Sequence, residues 1–104
     1  MHILVLAIVF MTAGTASAQT SATGPTRPIK MVVLGDSLSA GLGLPAASAF
    51  PVRLQKSLKI NGIDVDMINA GVSGDTSSGG RDRLDWSVPP GTSAVILELG
   101  ANDA

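Results

Sequence analysis

The sequence predicts an α/β fold built on a parallel sheet with helices packed against it, and three observations carry that expectation. Apolar runs at 29–34, 65–72 and 94–100 are short and nearly continuous, as in strands covered on both faces. Helical patterns separate them, and the order strand, helix, strand, helix, strand implies right-handed crossovers. Each run ends in turn-forming residues, which puts three loops at the carboxyl ends of the strands, where open parallel sheets bind ligands.

The elements follow in chain order. Residues 1–18 read as a secretory signal peptide. An apolar core from Ile3 to about Ala13 leads into Ala16-Ser17-Ala18, a small-x-small cleavage pattern, with the mature chain starting at Gln19. The core is short of the ~20 residues that a membrane span needs, so no stable insertion is expected after cleavage. The n-region departs from the usual pattern, offering only the α-amino group and His2 as cationic groups. Residues 19–28 form a loose polar leader rich in turn formers.

From 29 to 104 the chain reads as the N-terminal part of one domain. Ile29, Met31, Val32, Val33 and Leu34 make the first strand and Gly35 ends it. A helix is predicted over 48–62. Phe50, Leu54 and Leu58 share its inner face, while Arg53, Lys56 and Lys59 face water. Ser48 is its expected cap, Pro51 sits in its first turn and Gly62 is its C′ stop. The second strand starts at Val65. A second, glycine-weakened helix is expected to run from the capping residues around Asp75 into Leu84 and Trp86, with Trp86 a core or helix-packing residue. Residues 94–100 form the third strand. Three parallel strands with two helices leave edges unpaired and little buried surface, so the domain is expected to be truncated after its third strand.

Composition narrows the function. The 104 residues are 45% hydrophobic and 14% charged, too apolar for a disordered chain. A net charge of −1 without a basic run gives no footing for nucleic-acid binding or a polybasic membrane-surface role. The absence of cysteine removes disulfides, thiolate chemistry and cysteine metal sites. Neither a metal nor an organic cofactor is expected. Export without disulfides fits a periplasmic location.

The three strand-end loops read Gly35-Asp36-Ser37, Gly71-Val72-Ser73-Gly74-Asp75-Thr76 and Gly100-Ala101-Asn102-Asp103. They offer a hydroxyl nucleophile, a glycine turn with free N–H groups and a side-chain amide. Acyl transfer requires a nucleophile and donors aimed at a developing oxyanion. The stretch "GLGLPA" at 41–46 spells a dinucleotide fingerprint, but it begins well past the strand, contains Pro45 and lacks a ribose-binding acid downstream. It reads better as a loop whose Leu42 and Leu44 line an acyl site.

"GDSLSAG", "SGDTS" and "LELGAND", in that order, resemble the first three conserved blocks of the SGNH, or GDSL-type, ester hydrolases. The likeness is greatest to their bacterial periplasmic arylesterase and acyl-CoA thioesterase branch, and covers 31–104. The resemblance implies a flavodoxin-like three-layer fold and hydrolysis of a small-molecule acyl ester or thioester, of arylesterase, acyl-CoA thioesterase or lysophospholipase type, through an acyl-serine. It implies Ser37 as nucleophile and backbone oxyanion donor, the Gly74 N–H and the Asn102 amide as further donors, and Asp36 as a turn residue. The histidine base and its orienting aspartate sit in a late Asp-x-x-His block that these 104 residues do not contain. The chain by itself is therefore expected to be inert. Other readings on the same residues are a non-catalytic periplasmic binding or carbohydrate-modifying module, and an acyltransferase.

Overall fold

The computed structural model describes residues 14–15 and 27–104. The expected signal peptide and leader fall outside the described residues, apart from Gly14, Thr15, Arg27 and Pro28.

Three parallel strands form one sheet in the order β2–β1–β3, with β1 (Ile29–Gly35), β2 (Val65–Gly71) and β3 (Ala94–Glu98). The central strand carries the core: Val32, Val33 and Leu34 are fully or almost fully buried. Register aligns the strand ends, because Gly35 pairs with Gly71 on one side and with Glu98 on the other. The three loops that follow therefore leave from one rim. Alternation along the strands sets two faces. Val32 and Leu34 share one with Ile68, Ala70, Val95 and Leu97, while Met31 and Val33 share the other with Met67, Asn69, Ala94 and Ile96.

The helices are shorter than the sequence pattern predicts. A single turn, α1 (Ser37–Ala40), follows β1 directly where a plain turn was expected. After a 3-10 turn over Ala46–Ser48 comes α2 (Phe50–Ile60). Its N-cap is Ala49, which makes no side-chain cap bond, so Ser48 does not have its expected role. Phe50 is 47% exposed, which corrects its placement on an inner face; Leu54 and Leu58 are half-buried. Gly62 does stop the helix. Its N–H donates to Lys59 O at 3.0 Å and that of Ile63 to Leu58 O at 2.9 Å, a Schellman pair.

The predicted second helix is two short ones, α3 (Ser77–Asp82) and α4 (Leu84–Ser87), broken at Arg83. The cap of α3 is Thr76, whose hydroxyl accepts the Gly79 N–H at 3.0 Å, and not Asp75, whose carboxylate is engaged by Arg83. Trp86 is 73% exposed and so is no core residue: α4 has only one turn, and Leu84 and Ser87 lie nearer the sheet.

Candidate active site

The rim is assembled from the first loop outward. Asp36 is buried and caps α1, its Oδ1 accepting the Leu38 N–H at 2.9 Å. Aspartate suits this position because its carboxylate satisfies an N–H that the first helical turn leaves free. Ser37 becomes the first residue of α1, half-buried at the mouth of the sheet. Its carbonyl accepts the N–H groups of Gly41 at 3.0 Å and Leu42 at 3.2 Å, so the next loop springs from the serine's own turn. Leu42 and Leu44 are both exposed on that loop.

The second loop is sewn to the first. Val72 N–H donates to Gly35 O at 2.9 Å, and Asp75 N–H closes a turn onto Val72 O at 3.1 Å. Gly74 occupies this turn with φ +82°, a left-handed backbone that favours glycine, and a Cβ there would meet nothing within 4 Å. Glycine at 74 is thus required by the backbone conformation of the turn. Among the described residues neither Ser37 N–H nor Gly74 N–H has a hydrogen-bond acceptor.

The third loop closes the arrangement. Asn102 Nδ2 donates to Asp75 O at 2.8 Å and lies 3.3 Å from Asp36 Oδ2. One carboxamide thus touches the residue before Ser37 and the residue after Gly74. Asp103 accepts the Ser77 N–H at 2.7 Å and the Ser77 hydroxyl, tying the loop to the start of α3. The hydroxyl bond first, then the N–H bond, hold the Asp103 carboxyl below its ordinary value of 3.8.

Two side chains that sequence reasoning missed hold this rim from beneath. Glu98 Oε1 accepts the Ser39 hydroxyl at 2.8 Å and the Asp36 N–H at 3.3 Å. Arg83 is 7% exposed and donates to Asp75 Oδ2 (2.7 Å), Ala70 O (2.9 Å), Ser87 Oγ (3.1 Å) and Gly35 O (3.0 Å). Glu98 had a readable signal, a carboxylate at an inward position of an otherwise apolar strand. Arg83 had none, since it sits in a charged stretch that looks like a solvated helix face.

The rim therefore supplies a hydroxyl, two unclaimed backbone donors and a neutral amide within one bonded cluster. It supplies no imidazole or amine. The carboxylates of Asp36, Asp75, Asp103 and Glu98 all accept hydrogen bonds, and an ordinary carboxylate is a poor base for an alcohol. No group of three or more histidine, cysteine or acidic residues among the described residues is placed to hold a metal ion. No helix of the described residues is long and apolar enough to cross a membrane.

Residues 33–104 match the model of the GDSL-like lipase/acylhydrolase family. An arylesterase from Vibrio mimicus is 45% identical over 75 residues, covering 71% of this chain and 38% of that protein. A thioesterase 1/protease 1/lysophospholipase of Escherichia coli is 34% identical over 103 residues, 98% of this chain and 43% of that one. Among solved structures, the SGNH-hydrolase family esterase AlinE4 superposes with a TM-score of 0.70 at 38% identity, over 79% of this chain and 44% of its own. The chain thus spans about two fifths of the length of the relatives it matches.

Proposed function

The chain belongs to the GDSL-like lipase/acylhydrolase family, and on that premise we propose that it carries the nucleophile and oxyanion-binding half of a serine hydrolase acting on carboxylic esters or thioesters. The observation that carries this reading is the Asn102 carboxamide, bonded at once to the Ser37 and Gly74 loops. That pair of bonds holds the nucleophile loop and the glycine loop together on one rim.

In this reading the Ser37 hydroxyl attacks the acyl carbon and passes its proton to a base. The carbonyl oxygen becomes an oxyanion facing the N–H groups of Ser37 and Gly74 and the Asn102 amide, which turns to it the N–H that otherwise makes the longer, 3.3 Å bond to Asp36 Oδ2. Collapse expels the alcohol or thiol, which takes the proton, and water then cleaves the acyl-serine by the same route. The base is an imidazole from outside these 104 residues, since their only histidine is His2. Leu42 and Leu44 stand on a loop anchored to the Ser37 carbonyl and offer apolar contact to the acyl chain. A periplasmic location, with residues 1–18 removed, agrees with these roles and with the leader's pattern.

The test is hydrolysis of a short p-nitrophenyl ester by the full reading frame that carries this chain. Ser37→Ala is expected to lower kcat by about 10⁴-fold or more, and the 104-residue chain alone to show no turnover. Serine-dependent turnover by the 104 residues alone would overturn the assignment of the base, and full activity of Ser37→Ala would overturn the reading itself.

A further inference from the structure

We infer that Arg83 is a positioning residue that sets the distance between the two backbone oxyanion donors, an inference that rests on the proposed roles of Ser37 and Gly74. Its guanidinium is bonded to the ends of both strands that lead into these loops and to the residue after Gly74. Nη2 holds the carbonyl of Gly35, two residues before Ser37. Nη1 holds the carbonyl of Ala70, at the end of the strand that leads to Gly74. Nε holds the carboxylate of Asp75, the residue directly after Gly74.

The guanidinium is planar, so these directions are coupled. Moving one carbonyl tilts the fork and strains the other two bonds. Ser87 Oγ accepts a second Nη1 bond and fixes the fork from α4, and no buried side-chain nitrogen or oxygen among the described residues is left without a partner. Asp75 balances the charge, so Arg83 is buried as a pair rather than as a lone cation. The break between α3 and α4 falls at Arg83 itself, where the chain turns the side chain under the sheet end instead of along a helix face.

Geometry gives the clamp its consequence. Oxyanion donors act only when they lie about 2.7–3.1 Å from one point, and a misplacement of about 1 Å can lose ~10²-fold in rate. Lysine keeps the charge at 83 but has a single ammonium, which cannot reach Gly35 O, Ala70 O and Asp75 together.

The experiment measures kcat and KM for a short p-nitrophenyl ester in the full-length enzyme, with active sites counted by phosphonate titration so that only folded sites enter kcat. Arg83→Lys is expected to lower kcat about tenfold to a hundredfold with KM within about threefold. The smaller Arg83→Ala variant is expected to regain part of its kcat with added guanidinium ion and none with sodium. If Arg83→Lys yields no folded protein, Asp75→Asn keeps the side-chain volume, removes the charge at Nε and is expected to show the same loss in kcat. A kcat per titrated site within twofold of wild type in the folded variant overturns the inference, even if the melting temperature falls. Ser37→Ala, run alongside, reports separately on the reading beneath it.

Discussion

Asn102 carries two requirements that its side-chain amide meets and a carboxylate does not. Its nitrogen must donate to the Asp75 carbonyl, and it must lie beside the Asp36 carboxylate without repelling it. Asn102→Ala removes a donor, and kcat is expected to fall about 10²–10³-fold with little change in KM. Asn102→Asp presents a second carboxylate to Asp36, so it is expected to lose at least as much and also to unfold at lower urea concentration. Steady-state kinetics and urea midpoints on the same two variants check both statements. The neighbouring Asp103 gives a pH signature. Its folded pKa lies below the unfolded one because Ser77 bonds the ionised form. Those bonds therefore contribute their full stability above the ordinary value of 3.8, and the contribution is lost as pH falls through the lower folded value. Asp103→Asn is expected to be less stable than wild type at pH 7, and the gap in urea midpoint is expected to narrow below about pH 4. A gap that widens in acid would contradict this.

The strands and helices differ in how far the sequence foretells them. All three strands start where the apolar runs begin, and their parallel pairing follows from the alternation of elements, whereas the order β2–β1–β3 comes from the structure. The glycine-containing loops at their ends leave from one rim, so the proximity of the Ser37, Gly74 and Asn102 loops was legible from the strand ends, and their roles are those proposed above. What was not legible depends on partners distant in sequence. Arg83 becomes a clamp only because the carbonyls of Gly35 and Ala70 end side by side, and neither leaves a mark in its own neighbourhood. Trp86 suggests a core by its size, but a one-turn helix leaves it outward. Gly71 teaches the same lesson for α1. A Cβ there would collide with the backbone nitrogen of Ala40 and lie 2.8 Å from its Cα, and backbone atoms cannot rotate away as a side chain can. Asn69 Nδ2 holds the same turn by donating to Ser39 O at 3.1 Å. Gly71→Ala is therefore expected to destabilise the fold by about 1–3 kcal/mol, read as a lower urea midpoint, and to lower kcat because α1 carries Ser37.

At the scale of the whole molecule, the two faces of the sheet are unequally covered. On the face of Met31 and Val33, every β1 and β3 residue except the terminal Ile29 is half-buried or better, whereas among the described residues the opposite face has α3 and α4 above it. Leu97 is 68% exposed there, and Ile68, Leu84 and Val95 are exposed beside it. Leu34, Leu84, Val88, Pro90, Val95 and Leu97 line an open apolar groove along the same side. β3 is also an edge strand with a free row of backbone donors and acceptors, and none of its outward residues is a lysine or a proline that would discourage pairing. Apolar exposure next to an open edge favours a second strand in register, and in a solution of this chain that strand is β3 of another copy. The 104-residue chain is thus expected to self-associate as its concentration rises, with more β signal in circular dichroism and a growing scattering mass. Leu97→Lys places a charge at the centre of the exposed row, and Val95 is its nearest neighbour on the same strand face. That single change is expected to raise the concentration at which association begins by about tenfold or more, equivalent to ~1.4 kcal/mol, without changing the unfolding free energy by more than about 0.5 kcal/mol because the residue is already in water. Unchanged association in Leu97→Lys would place the contact elsewhere, with the exposed Trp86 on α4 the next surface to alter.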